Sequence, residues 1–219
     1  MRPWTSSAST DARRSGAGTG RGGLPAWLRA LRAALFVLAL LPLARLVLAG
    51  TYGWFGGLGA NPVELVTRST GTWTLVCLVA TLAVTPLRRA TGLHALVRLR
   101  RMLGLFAFLY GALHFTTYLW FDQWFDLQAI AKDVLRRPFI TMGFVAFVLM
   151  LPLAATSFNR AIRALGPARW QALHRAVYAA ALLALLHFFW MRAGKNDFAE
   201  VGVYAAVIGA LLGWRLWRR

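Results

Sequence analysis

The sequence has a single cysteine, Cys77, and seven carboxylates in 219 residues. One thiol excludes an intramolecular disulfide, a cysteine-ligated iron–sulfur cluster and the two-cysteine attachment of a c-type haem. Within its apolar run, Cys77 reads as an ordinary buried thiol. No Gly-rich dinucleotide fingerprint or phosphate loop occurs, which argues against a nicotinamide or ATP site on this chain. No carboxylate falls in the middle of a long apolar run. Transport pathways for protons or metals usually need one there.

Apolar residues dominate what remains. The hydrophobic fraction is 58% and the mean hydropathy +0.55, too apolar for an ordinary soluble domain. The formal charge of +18 would suggest nucleic acid in a soluble protein. Here the placement of the charges argues against a nucleic-acid partner. Uncharged or nearly uncharged runs cover 33–44, 69–87, 102–121, 138–159, 176–191 and 201–214. A spanning helix needs about 20 apolar residues, so the second, third and fourth runs qualify directly. The other three are short, and span only if Arg29, Arg32, Arg45, Arg175 and Arg215 snorkel to the interface. The expected fold is an all-α membrane protein, a bundle of six transmembrane helices.

With six spans the charges sort by side. The stretches up to Arg32, from Arg88 to Arg101, from Arg160 to Arg175 and from Arg215 onward share one side, with Asp11 as their one acid. Glu64, Asp122, Asp126, Asp133, Asp197 and Glu200 all lie on the other. The positive-inside rule then predicts that both termini are cytoplasmic. Trp54, Trp120, Trp124 and Trp190 fall near the outer interface, and Trp27, Trp170 and Trp217 near the inner one, as an aromatic belt requires. Residues 1–25 are rich in Ser, Thr, Gly, Ala and Arg, and read as a disordered cytoplasmic tail before a six-helix domain over 26–219. The Arg13-Arg14 pair is not followed by the apolar stretch of an export signal. Pro42 and Pro152 fall within spans, whereas Pro86, Pro138 and Pro167 are expected at span ends.

Two histidines, His114 and His187, lie deep in these runs, where an ionisable side chain is costly and marks a functional-site candidate. On helices running outward, His114 falls roughly 12 Å below Asp122 and His187 about 7 to 8 Å below Arg192. Imidazoles at matched depth on two helices suit a haem bound from both sides. The plainer alternative is that each histidine hydrogen-bonds a neighbouring helix and braces the bundle. His174 differs, standing at the cytoplasmic interface about 20 Å from His187 along the axis and roughly 140° around an ideal helix. A hydrogen-bonding role, a flavin or quinone site, or an inner haem partnered by His94 are its alternatives. The cluster Arg98, Arg100 and Arg101 reads first as a topology determinant beside anionic lipid, and secondarily as a holder of flavin phosphate or haem propionates.

An ordered set of segments carries a resemblance. It comprises Gly57 to Glu64, Thr85-Pro86-Leu87, Arg100 to Leu105, Leu113 to Tyr118, Arg137 to Gly143, Arg169 to Tyr178 and His187 to Trp190. Together these resemble the MsrQ family, formerly YedZ, the haem-binding membrane subunits of the bacterial periplasmic methionine sulfoxide reductase system. The resemblance implies a b-type cytochrome of the ferric-reductase-like transmembrane class in the bacterial inner membrane. It implies electrons drawn from the quinone pool or a cytoplasmic flavin reductase, and passed to a periplasmic molybdopterin catalytic subunit, MsrP. Substrate reduction would then occur on the partner, with no catalytic residue here. The family's haem histidines map onto His114 and His187, and its third histidine onto His174. FMN is also associated with the family, with no residue here to assign to it. Asp122, Asp126 and Asp133 are expected to help dock the soluble partner. A proton or metal transporter and a non-catalytic anchor are the rival classes.

Overall fold

The computed structural model describes residues 25–194 and 196–217. Residues 1–24 of the expected tail, including Arg13-Arg14, lie outside the described residues, as do 195 and 218–219. All the described secondary structure is helical, and six segments are long and apolar enough to cross a membrane. The expected all-α, six-span architecture is borne out.

The first span, α1, runs over Ala26–Tyr52, well beyond its apolar run, and carries Arg29, Arg32 and Arg45 within the helix. Helix α2 covers Pro62–Thr91, opened by Asn61, whose side chain accepts from the Glu64 amide at 3.1 Å. A short turn, His94–Arg98, leads into α3 at Leu99–Thr117, which unwinds into a wider π-type turn at Tyr118–Asp122. An unforeseen helix, α4 at Leu127–Arg136, follows on the same side and is capped by Asp126. Its apolar positions Leu127, Ile130, Ala131, Val134 and Leu135 form one stripe at helical spacing. Then come α5 at Pro138–Ala155, α6 at Asn159–Leu165, α7 at Pro167–His174, α8 at Ala176–Ala193 and α9 at Ala199–Trp217. The fifth span is α7 and α8 together, with a break at Arg175.

Packing divides the bundle into two main helix pairs, α2 with α3 and α5 with α8. Lipid tails are as apolar as leucine, so helices associate through close packing rather than escape from water. Small residues permit it: Ala107 in α3 and Ala180 and Ala181 in α8 are fully buried. Leu78 of α2 and Phe106 and Tyr110 of α3 share one buried core cluster, and Cys77 is a buried free thiol in it. Tyr110 also donates to the Ala39 carbonyl at 2.6 Å, tying α1 to α3.

One proline departs from expectation. Pro138 and Pro167 open helices, but Pro86 lies inside α2, which continues to Thr91. A proline there leaves the carbonyl four residues back without its helical donor. That carbonyl, Leu82, accepts instead from Arg215 at 3.1 Å, so the helix continues with its orphan acceptor satisfied from α9.

Candidate functional site

His114 of α3 leans on α2. Its Nδ1 lies 2.9 Å from the Thr67 carbonyl oxygen, and its ring covers Gly71, where a Cβ would sit 3.1 Å from the imidazole Cε1. His187 of α8 leans on α5 in the same manner. Its Nδ1 is 2.7 Å from the Phe139 carbonyl, and a Cβ on Gly143 would come within 2.9 Å of that nitrogen. In both cases the accepting carbonyl stands at position i and the glycine at i+4, one helical turn on and on the same face. Each ring thus lies in a cradle that any side chain would fill.

A carbonyl oxygen only accepts, so these hydrogen bonds place a hydrogen on each Nδ1, and in the neutral imidazole Nε2 then keeps its lone pair. The two ring centroids are 6.1 Å apart, with planes at 69°. Two imidazoles bound through nitrogen to opposite sides of one metal, at about 2.0–2.1 Å per bond, place their ring centres roughly 6.3 Å apart. Metal-ligating histidines almost always donate their other ring nitrogen to a carbonyl or carboxylate, and the Nδ1 atoms of His114 and His187 each donate to a carbonyl. Among the described residues, no group of three or more His, Cys, Asp or Glu gathers to hold a bare metal ion. The pair suits a metal whose remaining ligands come from its own macrocycle.

Aromatic packing joins α3 to α5 beside His114. Phe147 of α5 stacks on Phe115 at 4.9 Å and on Phe108 at 5.7 Å, both from α3, and so fills the space between the two histidine-bearing halves. Beyond His114, Tyr118 of the π-type turn and Gln123 just after it donate to Asp133 of α4 at 3.3 and 2.9 Å. Asp133 also pairs with Arg137 at 3.1 Å, and Thr141 donates to the Val134 carbonyl. This lattice fixes α4 against the start of α5, the turn whose Phe139 carbonyl receives His187. Single-turn π distortions recur at functional sites because they re-aim the chain without ending the helix. Of Asp122, Asp126 and Asp133, the carboxylates expected to help dock a partner, Asp126 is exposed and caps α4, and the Asp133 side chain is 15% exposed within its network.

His174 is held differently. Its Nε2 lies 3.0 Å from Thr156 Oγ1, and that hydroxyl donates its own hydrogen to the Pro152 carbonyl at 2.7 Å. The imidazole must therefore donate through Nε2. Trp170 stacks on the ring at 3.9 Å and donates its indole hydrogen to the Thr156 carbonyl at 2.9 Å. Together they close the end of α5. At Arg175 the bonding tightens to three-residue spacing, Arg175 to Ala172 and Tyr178 to Arg175, so the ideal-helix angle between His174 and His187 does not carry across the break. His94 is exposed at the start of its turn. The structure therefore joins His114 to His187 and gives His174 a separate hydrogen-bonded setting.

Residues 70–185 match the family model described as ferric reductase like transmembrane component. The match takes in His114 and His174 and stops two residues short of His187. The chain is 58% identical over 193 residues to the protein-methionine-sulfoxide reductase heme-binding subunit MsrQ of Ralstonia nicotianae, covering 88% of each chain. It belongs to the MsrQ family. The MsrQ protein of Bordetella pertussis is 60% identical over 191 residues, covering 84% of this chain and 89% of its own. That of Xanthomonas campestris is 46% identical over 162 residues, covering 74% and 73%. No solved structure matches the chain. The family resemblance carried by the ordered motifs is thus confirmed.

What the sequence did not disclose about this MsrQ-family site is its support. Gly71 and Gly143, interruptions in apolar helical runs, were the available signal, since such glycines often mark close approach. Thr67 and Phe139 act through backbone carbonyls, which leave no trace in side-chain chemistry.

Proposed function

We propose that this chain is a b-type cytochrome subunit whose haem is held by His114 and His187. In this reading it relays electrons from the quinone pool or a cytoplasmic flavin reductase across the bacterial inner membrane, with both termini cytoplasmic. The recipient is a periplasmic molybdopterin methionine sulfoxide reductase, MsrP, acting in repair of oxidised proteins. One observation carries the haem assignment: two imidazoles 6.1 Å apart, each with Nδ1 committed to a carbonyl and Nε2 left to bind. The relatives' names support it, since they are heme-binding subunits of a protein-methionine-sulfoxide reductase.

Haem, when bound, supplies a one-electron couple within the membrane. The protein's share is to hold and orient. The Thr67 and Phe139 carbonyls keep each imidazole in one tautomer and make it a more basic ligand. The glycines let the rings approach their helices, and the phenylalanine stack keeps polar groups away from the space between α3 and α5. FMN belongs to this reading through the family alone, and no residue or step is assigned to it. His174 enters it as the third family histidine, a cofactor-site candidate on the cytoplasmic side.

The bracing alternative shares both hydrogen bonds, because a histidine tying helices together would also donate to a neighbouring carbonyl. Bracing gives no reason for the rings to converge, or for the same carbonyl-and-glycine register to recur in α2 and in α5. Reduced-minus-oxidised absorbance of the purified protein, with haem stoichiometry, decides between them. Loss of the spectrum in His114→Ala and in His187→Ala is expected; unchanged haem content in both would falsify the ligand assignment.

A further inference from the structure

Arg215 stands near the end of α9 with its guanidinium turned into the protein. One terminal nitrogen donates to the Tyr178 hydroxyl, whose ring lies 4.8 Å beneath the guanidinium carbon, and the other donates to Leu82 O at 3.1 Å. Its Nε is buried without a hydrogen-bond partner among the described residues. Both acceptors are neutral, so they satisfy hydrogen-bonding groups without balancing the charge.

The neighbourhood adds to that charge. Arg89, in the last turn of α2, lies 5.4 Å over the Trp214 ring, and Arg89 and Arg100 both act electrostatically on Arg215. Every side-chain carboxylate of the described residues lies toward the opposite ends of these helices: Glu64 opens α2, Asp122 follows α3 and Glu200 opens α9. The helix C-termini here bring partial negative charge, about half a unit each, against three guanidinium groups. A partly buried cation without a counterion is costly, and a basic pocket between helices at the cytoplasmic end is a recurrent lipid-headgroup site.

We propose that Arg215, with Arg89 and Arg100, binds the phosphate of an anionic phospholipid of the cytoplasmic leaflet between the ends of α2, α3 and α9. Depth selects a lipid over a soluble phosphate. Trp214 and Trp217 flank Arg215, and tryptophans mark the headgroup level of a bilayer. The guanidinium is also presented from a membrane-spanning helix rather than from a loop. The Leu82 bond then has a second consequence, because a carbonyl freed by Pro86 holds Arg215 in the orientation that meets the phosphate.

The test uses the full chain in nanodiscs of phosphatidylcholine containing increasing phosphatidylglycerol, with thermal midpoint and lipid retention by native mass spectrometry as readouts. Wild type should gain stability saturably and retain phosphatidylglycerol. Arg215→Gln should require about five- to tenfold more of that lipid for the same gain. Arg89→Gln, at an exposed position that does not threaten folding, should show a smaller shift in the same direction. Arg163→Gln removes an exposed charge of α6 and should behave as wild type. Equal lipid dependence in wild type, Arg215→Gln and Arg89→Gln overturns the site. So does an effect of Arg163→Gln as large as theirs, which indicates general surface attraction. Full stabilisation by inorganic phosphate in pure phosphatidylcholine discs overturns the lipid assignment in favour of a soluble anion.

Discussion

The histidines at the two ends of the bundle are the same side chain in opposite states. His114 and His187 each donate through Nδ1 to a carbonyl and keep Nε2 available, while His174 donates through Nε2 to a hydroxyl already committed to Pro152. The neighbours decide this, not the imidazole. A backbone carbonyl has no hydrogen to give, and the Thr156 hydroxyl has one that is already placed. Membrane depth alone therefore says too little about a histidine; its partner determines which nitrogen is left to act.

This contrast can be broken most severely at the ligands, where His114→Ala or His187→Ala should abolish the haem spectrum. Next come the cradles. Gly143→Ala and Gly71→Ala insert a methyl at 2.9 and 3.1 Å from the imidazole atoms, which overpacking would make about 1–3 kcal/mol unfavourable. Haem content and the reduction midpoint should both change, more in Gly143→Ala than in Gly71→Ala. If both variants keep wild-type haem content and midpoint, the cradles do not position the ligands. A milder effect is expected of Asp133→Asn, which keeps the shape but weakens the Arg137 pair and the bonds from Tyr118 and Gln123. Its thermal midpoint should fall by an amount equivalent to about 1–2 kcal/mol, while haem content stays near wild type. Smallest is Thr156→Val, which removes the acceptor of His174 at about 0.5–1.5 kcal/mol and should leave the His114–His187 spectrum intact. A spectrum altered as much as by a glycine variant would show that the two ends are not independent.

Much of the bundle was legible because apolar run length and charge placement report directly on bilayer geometry. The six spans follow from them, including α1 and α9, whose arginines fall within the helices rather than outside them. The helices α4 and α6 were not legible, since short helices between spans lack the long apolar signature, and neither was α7, which extends the fifth span beyond its apolar run. Pro86 was misplaced for a related reason: a proline ends a helix only when the carbonyl it orphans has no other donor, and that donor came from a residue 133 positions away. At the candidate site, the histidines announced themselves through the cost of burying them. The carbonyls of Thr67 and Phe139 could not, because every residue has one. The capping role of Asp126 and the network around Asp133 were hidden by position, since a loop carboxylate looks the same in sequence whether it faces solvent or a helix end.

Because each imidazole is fastened to a helix of its own pair, neither ring can move far without carrying its helices along. The distance between them is then governed by how closely the α3 side approaches the α5 side, and Phe147 acts there as a shim between Phe108 and Phe115. Thinning that shim, as in Phe147→Leu, would alter the spacing of the two rings from a residue that touches neither hydrogen bond. Membrane thickness or lateral pressure that shifts one pair against the other would act on the same gauge, making the rings' separation a mechanical property of the bundle rather than a local property of the site.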